Sequence, residues 1–79
     1  MSAANVDARG AKCPYPIIEL ARAATGAGPD SIVELLSDDP VARSDVPAWC
    51  RMRGARLIGV EDRGDHWLFR VLTAPAERQ

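Results

Sequence analysis

The amino-acid sequence predicts an α/β two-layer sandwich with the element order β-α-β-α-β-β. Three stretches carry that expectation. Pro14-Tyr15-Pro16 leads into an apolar run with helical spacing. Ser31-Ile32-Val33-Glu34-Leu35-Leu36-Ser37 is a short, mainly apolar strand. Two further strand-like runs flank Arg63-Gly64-Asp65, a turn. One sheet covered on one face by two helices is the economical way to bury these surfaces.

Taken in order, Val6-Asp7-Ala8 is a strand candidate leading into Cys13. The first helix is expected from about Pro14 to Thr25, with Ile17, Ala21 and Ala24 at i, i+4 and i+7. Ile18 extends that face, whereas Leu20 falls off it. Glu19 and Arg22 are spaced for a weak surface pair. Gly26 or Gly28 ends the helix, and Pro29 prevents its return. Two strands joined through such a helix form a right-handed βαβ unit.

Asp38-Asp39-Pro40 repeats a helix-start signal, an acidic cap followed by proline. The second helix either begins near Pro40 and bends at Pro47, or begins after a turn over 40–44 with Asp45 as its cap. The second alternative is favoured. Val46, Trp49, Cys50 and Arg53 share one face, and Gly54 stops the helix. Residues 55–61 and 66–72 form a hairpin in which Trp67, Phe69 and Val71 alternate onto one face.

With 79 residues the chain is expected to be one domain, 1–79, with flexible tails at 1–5 and 74–79. No stretch approaches the roughly 18 apolar residues of a membrane span, and Met1-Ser2-Ala3-Ala4-Asn5 lacks the features of a signal peptide. A cytoplasmic location, no membrane partner and a monomer are expected. The formal net charge of −1 gives no basic surplus, which argues against direct nucleic-acid binding. Two cysteines without a Cys-x-x-Cys pair, and one histidine, His66, argue on spacing against a metal site.

Cys13 is where chemistry is expected. Proline is favoured at the first helical position, so Pro14 places Cys13 at the helix N-cap. That end carries a partial positive charge and free N–H groups, which favour a thiolate. Lys12 and Arg9 add positive charge, and Gly10 permits a sharp turn.

Gly10-Ala11-Lys12-Cys13-Pro14-Tyr15-Pro16, joined to Asp38-Asp39-Pro40 and to Asp45-Val46-Pro47-Ala48-Trp49-Cys50, resembles the signature of the TusA/SirA family of small sulfur carriers. The resemblance covers about Val6 to Leu72. It implies a mixed four-stranded sheet with two helices on one face and the last strand antiparallel to the others. It also implies a sulfurtransferase that carries sulfane sulfur as a covalent persulfide on Cys13, with no other cofactor. A sulfur donor, a cysteine desulfurase or a rhodanese-like protein, would load it, and an acceptor protein would unload it. Family members serve tRNA thiolation, molybdenum-cofactor maturation, sulfur oxidation, thiosulfate uptake or selenium metabolism.

Other residues have plainer readings beside these. A free cysteine is often a small buried hydrophobe, and Cys50, next to Trp49, is read that way. Gly10, Lys12, Pro14 and Pro16 are expected to shape the site, the prolines by fixing the backbone and Lys12 by stabilising anionic sulfur. Asp38, Asp39 and Asp45 are read as caps. By the resemblance, Tyr15, Arg22, Asp39 and Asp45 are candidates for partner contact; Tyr15 stands where an acidic residue is common in the family. An alternative function is a non-catalytic regulatory or redox-switch module using Cys13.

Overall fold

A computed structural model describes residues 3–76. The strands are β1 (Ala3–Asp7), β2 (Ile32–Ser37), β3 (Arg56–Asp62) and β4 (Trp67–Leu72), and the helices are α1 (Tyr15–Ala27) and α2 (Ala42–Arg53). The sheet order is β1-β2-β4-β3. β1 lies parallel to β2, and β4 runs antiparallel to both β2 and β3. The element order and the mixed four-stranded sheet are those expected. β1 is longer than expected at its start: residues 3–5, assigned to a tail, belong to the strand and pair with Ile32, Val33 and Glu34. At the other end, the Ala74 carbonyl accepts a hydrogen bond from the Asp30 N–H. Of the two expected tails, residues 1–2 and 77–79 lie outside the described residues, and Pro75 and Ala76 are exposed and outside any helix or strand.

Register assigns the two faces of the sheet. Leu35 pairs with Phe69 and Val33 with Val71, and all four are buried under the helices. Leu20 from α1 and Val46, Trp49 and Cys50 from α2 complete this core. Alternation therefore sends Ile32, Glu34, Leu36, Leu68, Arg70 and Leu72 to the opposite face. There Arg70 Nε donates to Glu34 Oε2 at 2.8 Å across directly paired residues, a cross-strand pair of the kind that stabilises sheets.

Both helices correct the sequence reading in detail. α1 is centred on Leu20, which is 0% exposed, with buried Pro16 beside it. Ile17, Ala21 and Ala24 pack at the margin of the core, and Ile18 is 39% exposed. Leu20 takes the deepest place, and the alanines beside it are small. Gly28, at φ +85°, caps the end and donates its N–H to the Ala24 carbonyl.

α2 begins before Asp45 and runs unbroken through Pro47, so the favoured alternative of a preceding turn is incorrect. The N–H groups of Ala42 and Arg43 bond to the carbonyls of Asp39 and Pro40, and those of Ser44 and Asp45 bond to Val41. The helix is already established when it reaches Pro47. The proline removes one donor, to the Arg43 carbonyl. Burial of Val46, Trp49 and Cys50 on either side holds the helical path. Asp45 thus lies within the first turn rather than at the cap.

Candidate functional site

Parallel pairing brings the carboxyl ends of β1 and β2 side by side, with Asp7 opposite Leu36. The loop after β1 carries Cys13, and the loop after β2 carries Asp38 and Asp39. The two loops are stitched together by carboxylates. Gly10 N–H donates to both oxygens of Asp38, at 3.0 and 3.1 Å. Cys13 N–H donates to Asp39 Oδ2 at 2.7 Å, and Val41 N–H to Asp39 Oδ1 at 3.1 Å. Asp39 is 7% exposed, and its own N–H donates to the Ser37 hydroxyl oxygen at 3.2 Å. One buried side chain therefore ties the cysteine loop to the start of α2. These bonds hold the Asp39 carboxyl below its ordinary value, with Cys13 N–H first, then Val41 N–H, and the Lys12 charge adding to the effect.

Gly10 sits at φ +87°, in the left-handed region that glycine occupies without strain. That conformation turns its N–H towards Asp38. The space around it is open, so the backbone angle, not crowding, calls for glycine.

Cys13 is an exposed free thiol. It lies one position earlier than expected. Pro14 occupies the N-cap and Pro16 the first helical turn, and the Cys13–Pro14 peptide is cis. The helix start offers the sulfur little. Neither proline has an N–H. Tyr15 N–H bonds to the Lys12 carbonyl, and those of Ile17 and Ile18 bond to the Pro14 carbonyl. The groups expected to favour a thiolate are engaged elsewhere.

Asp45 reaches the sulfur instead. Cys13 Sγ donates to Asp45 Oδ2 at 3.2 Å. This hydrogen bond raises the Cys13 thiol above its ordinary range, with desolvation and the charges of Asp45 and Asp39 acting in the same direction. The expected activation of the free thiol by positive charge is thus reversed. Arg9 is turned away into a pair with Asp7, Nη2 to Oδ2 at 2.7 Å, which lowers the Asp7 carboxyl to about 2. Lys12 is exposed, and its charge acts on Asp39.

Beside the charged groups at Cys13, the starts of both helices expose apolar and aromatic side chains. Tyr15 is 61% exposed two residues on, as expected, and Ile18 and Val41 are also exposed. Arg22 lies further along α1, its guanidinium 3.5 Å from Glu19. Cys50, 3% exposed within the core, stands apart from this surface, and burial raises its thiol. His66 lies outside the thiol site, with Nδ1 2.6 Å from Asp65 Oδ1. Sequence reasoning missed the contact between Asp45 and the sulfur, the hold of Asp38 on Gly10, and the exposed Ile18 and Val41. The parallel β1–β2 pairing was the available signal, because it forces the two loops together.

Fold and site together define a small α/β sandwich that presents one thiol on an exposed loop, held by the neighbouring loop. The sequence matches the family model for sulfurtransferase TusA over residues 4–73. An Archaeoglobus fulgidus protein described as a candidate sulfur carrier is 36% identical over 62 residues, covering 78% of this chain and 85% of the relative. The sulfur carrier protein TusA of Pseudomonas entomophila is 27% identical over 66 residues, covering 84% and 82%. A Bacillus subtilis protein described as a candidate sulfur carrier is 33% identical over 60 residues, covering 76% and 80%. The chain belongs to the TusA sulfurtransferase family, a family of sulfur carriers.

Proposed function

We propose that this protein relays sulfane sulfur between two proteins as a persulfide on Cys13. The observation that carries the proposal is a single exposed thiol whose backbone N–H is fixed at 2.7 Å by the buried Asp39. In loading, the Cys13 sulfur attacks the terminal sulfur of a donor persulfide. A sulfur–sulfur bond forms on Cys13, the donor's own sulfur–sulfur bond breaks, and the donor cysteine leaves as a thiol after gaining a proton. In unloading, an acceptor thiolate attacks the carried sulfur, and Cys13 is the leaving group. Both steps are thiol–disulfide-type exchanges, governed by thiolate fraction and access.

A cysteine desulfurase or a rhodanese-like protein fits the donor role. Tyr15, Ile18 and Val41 provide an exposed apolar rim for docking, and Arg22 extends it along α1. Transient encounters of this kind use small interfaces. A reducing compartment, the cytoplasm, suits two free cysteines. No helix among the described residues is long and apolar enough to cross a membrane.

The relay is tested with a cysteine desulfurase, cysteine carrying radiolabelled sulfur, and an acceptor protein with a free cysteine. Label is expected to pass to the carrier and then to the acceptor, and to reach the acceptor faster with the carrier than without it. Equal transfer with and without the carrier would count against the proposal.

A further inference from the structure

The contact between Cys13 and Asp45 has a sign that matters for a carrier. An empty Cys13 is a neutral thiol able to donate a hydrogen bond to a carboxylate. A loaded Cys13 ends in a persulfide, which loses its proton more readily than a thiol and is then an anion. The same carboxylate that welcomes the first opposes the second. We infer that Asp45 is a positioning residue that holds the empty thiol and destabilises the loaded anion, so that it tilts the relay towards release of sulfur. This inference rests on the persulfide reading of Cys13.

The charged groups around the sulfur agree with it. From α2 comes Asp45, at 3.2 Å. From the β2–α2 loop come Asp39, on the Cys13 N–H, and Asp38, on the Gly10 N–H. From the cysteine loop come Lys12, whose charge acts on Asp39, and Arg9, which is paired with Asp7. Helix α1 contributes no free N–H from its first residues, because they bond to Lys12 and Pro14. Among these groups only Asp45 touches the sulfur.

In the exchange with a small persulfide, Cys13–SH and the anion R–S–S⁻ give Cys13–S–S⁻ and R–SH. One sulfur–sulfur bond breaks, one forms, and the Cys13 proton ends on the departing thiol. The product places a negative charge beside Asp45 that the reactant did not. Two unit charges about 5 Å apart at a solvent-exposed site, where the effective dielectric lies between about 40 and about 70, shift such an equilibrium by about fivefold to twentyfold.

The experiment equilibrates wild type, Asp45→Asn and Asp45→Glu with fixed ratios of glutathione persulfide to glutathione at neutral pH. Intact mass gives the loaded fraction, and thiolate absorbance against pH gives the Cys13 titration. Asp45→Asn is expected to titrate at lower pH and to raise the loading equilibrium constant by about fivefold to twentyfold, an effect that shrinks in concentrated salt. Asp45→Glu, which keeps the charge, is expected to return both readouts towards wild type. If wild type loads but Asp45→Asn matches it in either readout, the inference is overturned and the carrier reading stands. If wild type gains no sulfur at any ratio, the carrier reading fails and the inference with it.

Discussion

Replacing Cys13 by Ser is expected to abolish sulfur loading and leave the fold in place. The side chain is exposed, and its backbone N–H bond to Asp39 does not involve the sulfur. Serine keeps a hydroxyl that can donate to Asp45, so the loop retains its side-chain contact as well. What is lost is the nucleophile, because a hydroxyl is far more basic than a thiol and forms no persulfide. Incubation with a cysteine desulfurase and radiolabelled cysteine should leave the variant unlabelled, while its thermal melt stays close to that of wild type. Label retained on the Ser variant would remove Cys13 from its assigned role. A lost thermal transition would mean instead that the thiol supports the fold.

The second large effect is expected at Asp39. Replacement by Ala removes the acceptor for two backbone N–H groups at once, those of Cys13 and Val41. Hydrogen bonds to a charged group are stronger than neutral ones, and a buried donor without a partner is costly. In a chain of 79 residues, a melting temperature lower by about 5–10 °C is expected, since each kcal/mol is worth roughly 4–8 °C at this size. Loading should slow as well, because the loop that presents the sulfur loses its anchor. The pH dependence has a definite sign. The folded Asp39 carboxyl lies below its ordinary value, so its contribution is full above the unfolded carboxylate range, near pH 4, and is lost as pH falls through the folded value. Wild type should therefore lose stability in acid more steeply than Asp39→Ala. Parallel melts against pH for the two proteins would show that the buried bonds contribute little.

Much of this molecule is legible in its sequence because its signals are local. The alternation of Trp67, Phe69 and Val71 reaches the core in the expected register. Gly28 and Gly54 stop their helices where the chain must take a positive φ. The start of α2 was hidden for a physical reason. Pro47 reads locally as a breaker, yet a helix already bonded from Asp39 onward and buried at Val46, Trp49 and Cys50 tolerates one missing donor. The site was legible in its members and not in its electrostatics. Proximity in sequence puts Lys12 and Arg9 beside Cys13. The fold turns Arg9 to Asp7 and brings Asp45 to the sulfur from 32 residues away. Long-range contacts of that kind follow from the parallel pairing of β1 with β2, which the β-α-β order signals without saying which side chains of the two loops meet.

The central claim is that sulfur is carried on Cys13, and peptide mass spectrometry tests it most directly. Wild-type protein exposed to a sulfane donor should gain the mass of one sulfur atom on the peptide holding Cys13 and none on the peptide holding the buried Cys50. A reductant should remove it, since a persulfide is open to attack by a thiolate. A redox switch would instead give a Cys13–Cys50 bridge, a mixed disulfide or added oxygen. A bridge under mild oxidation, with no persulfide on Cys13 from any donor, would contradict the account.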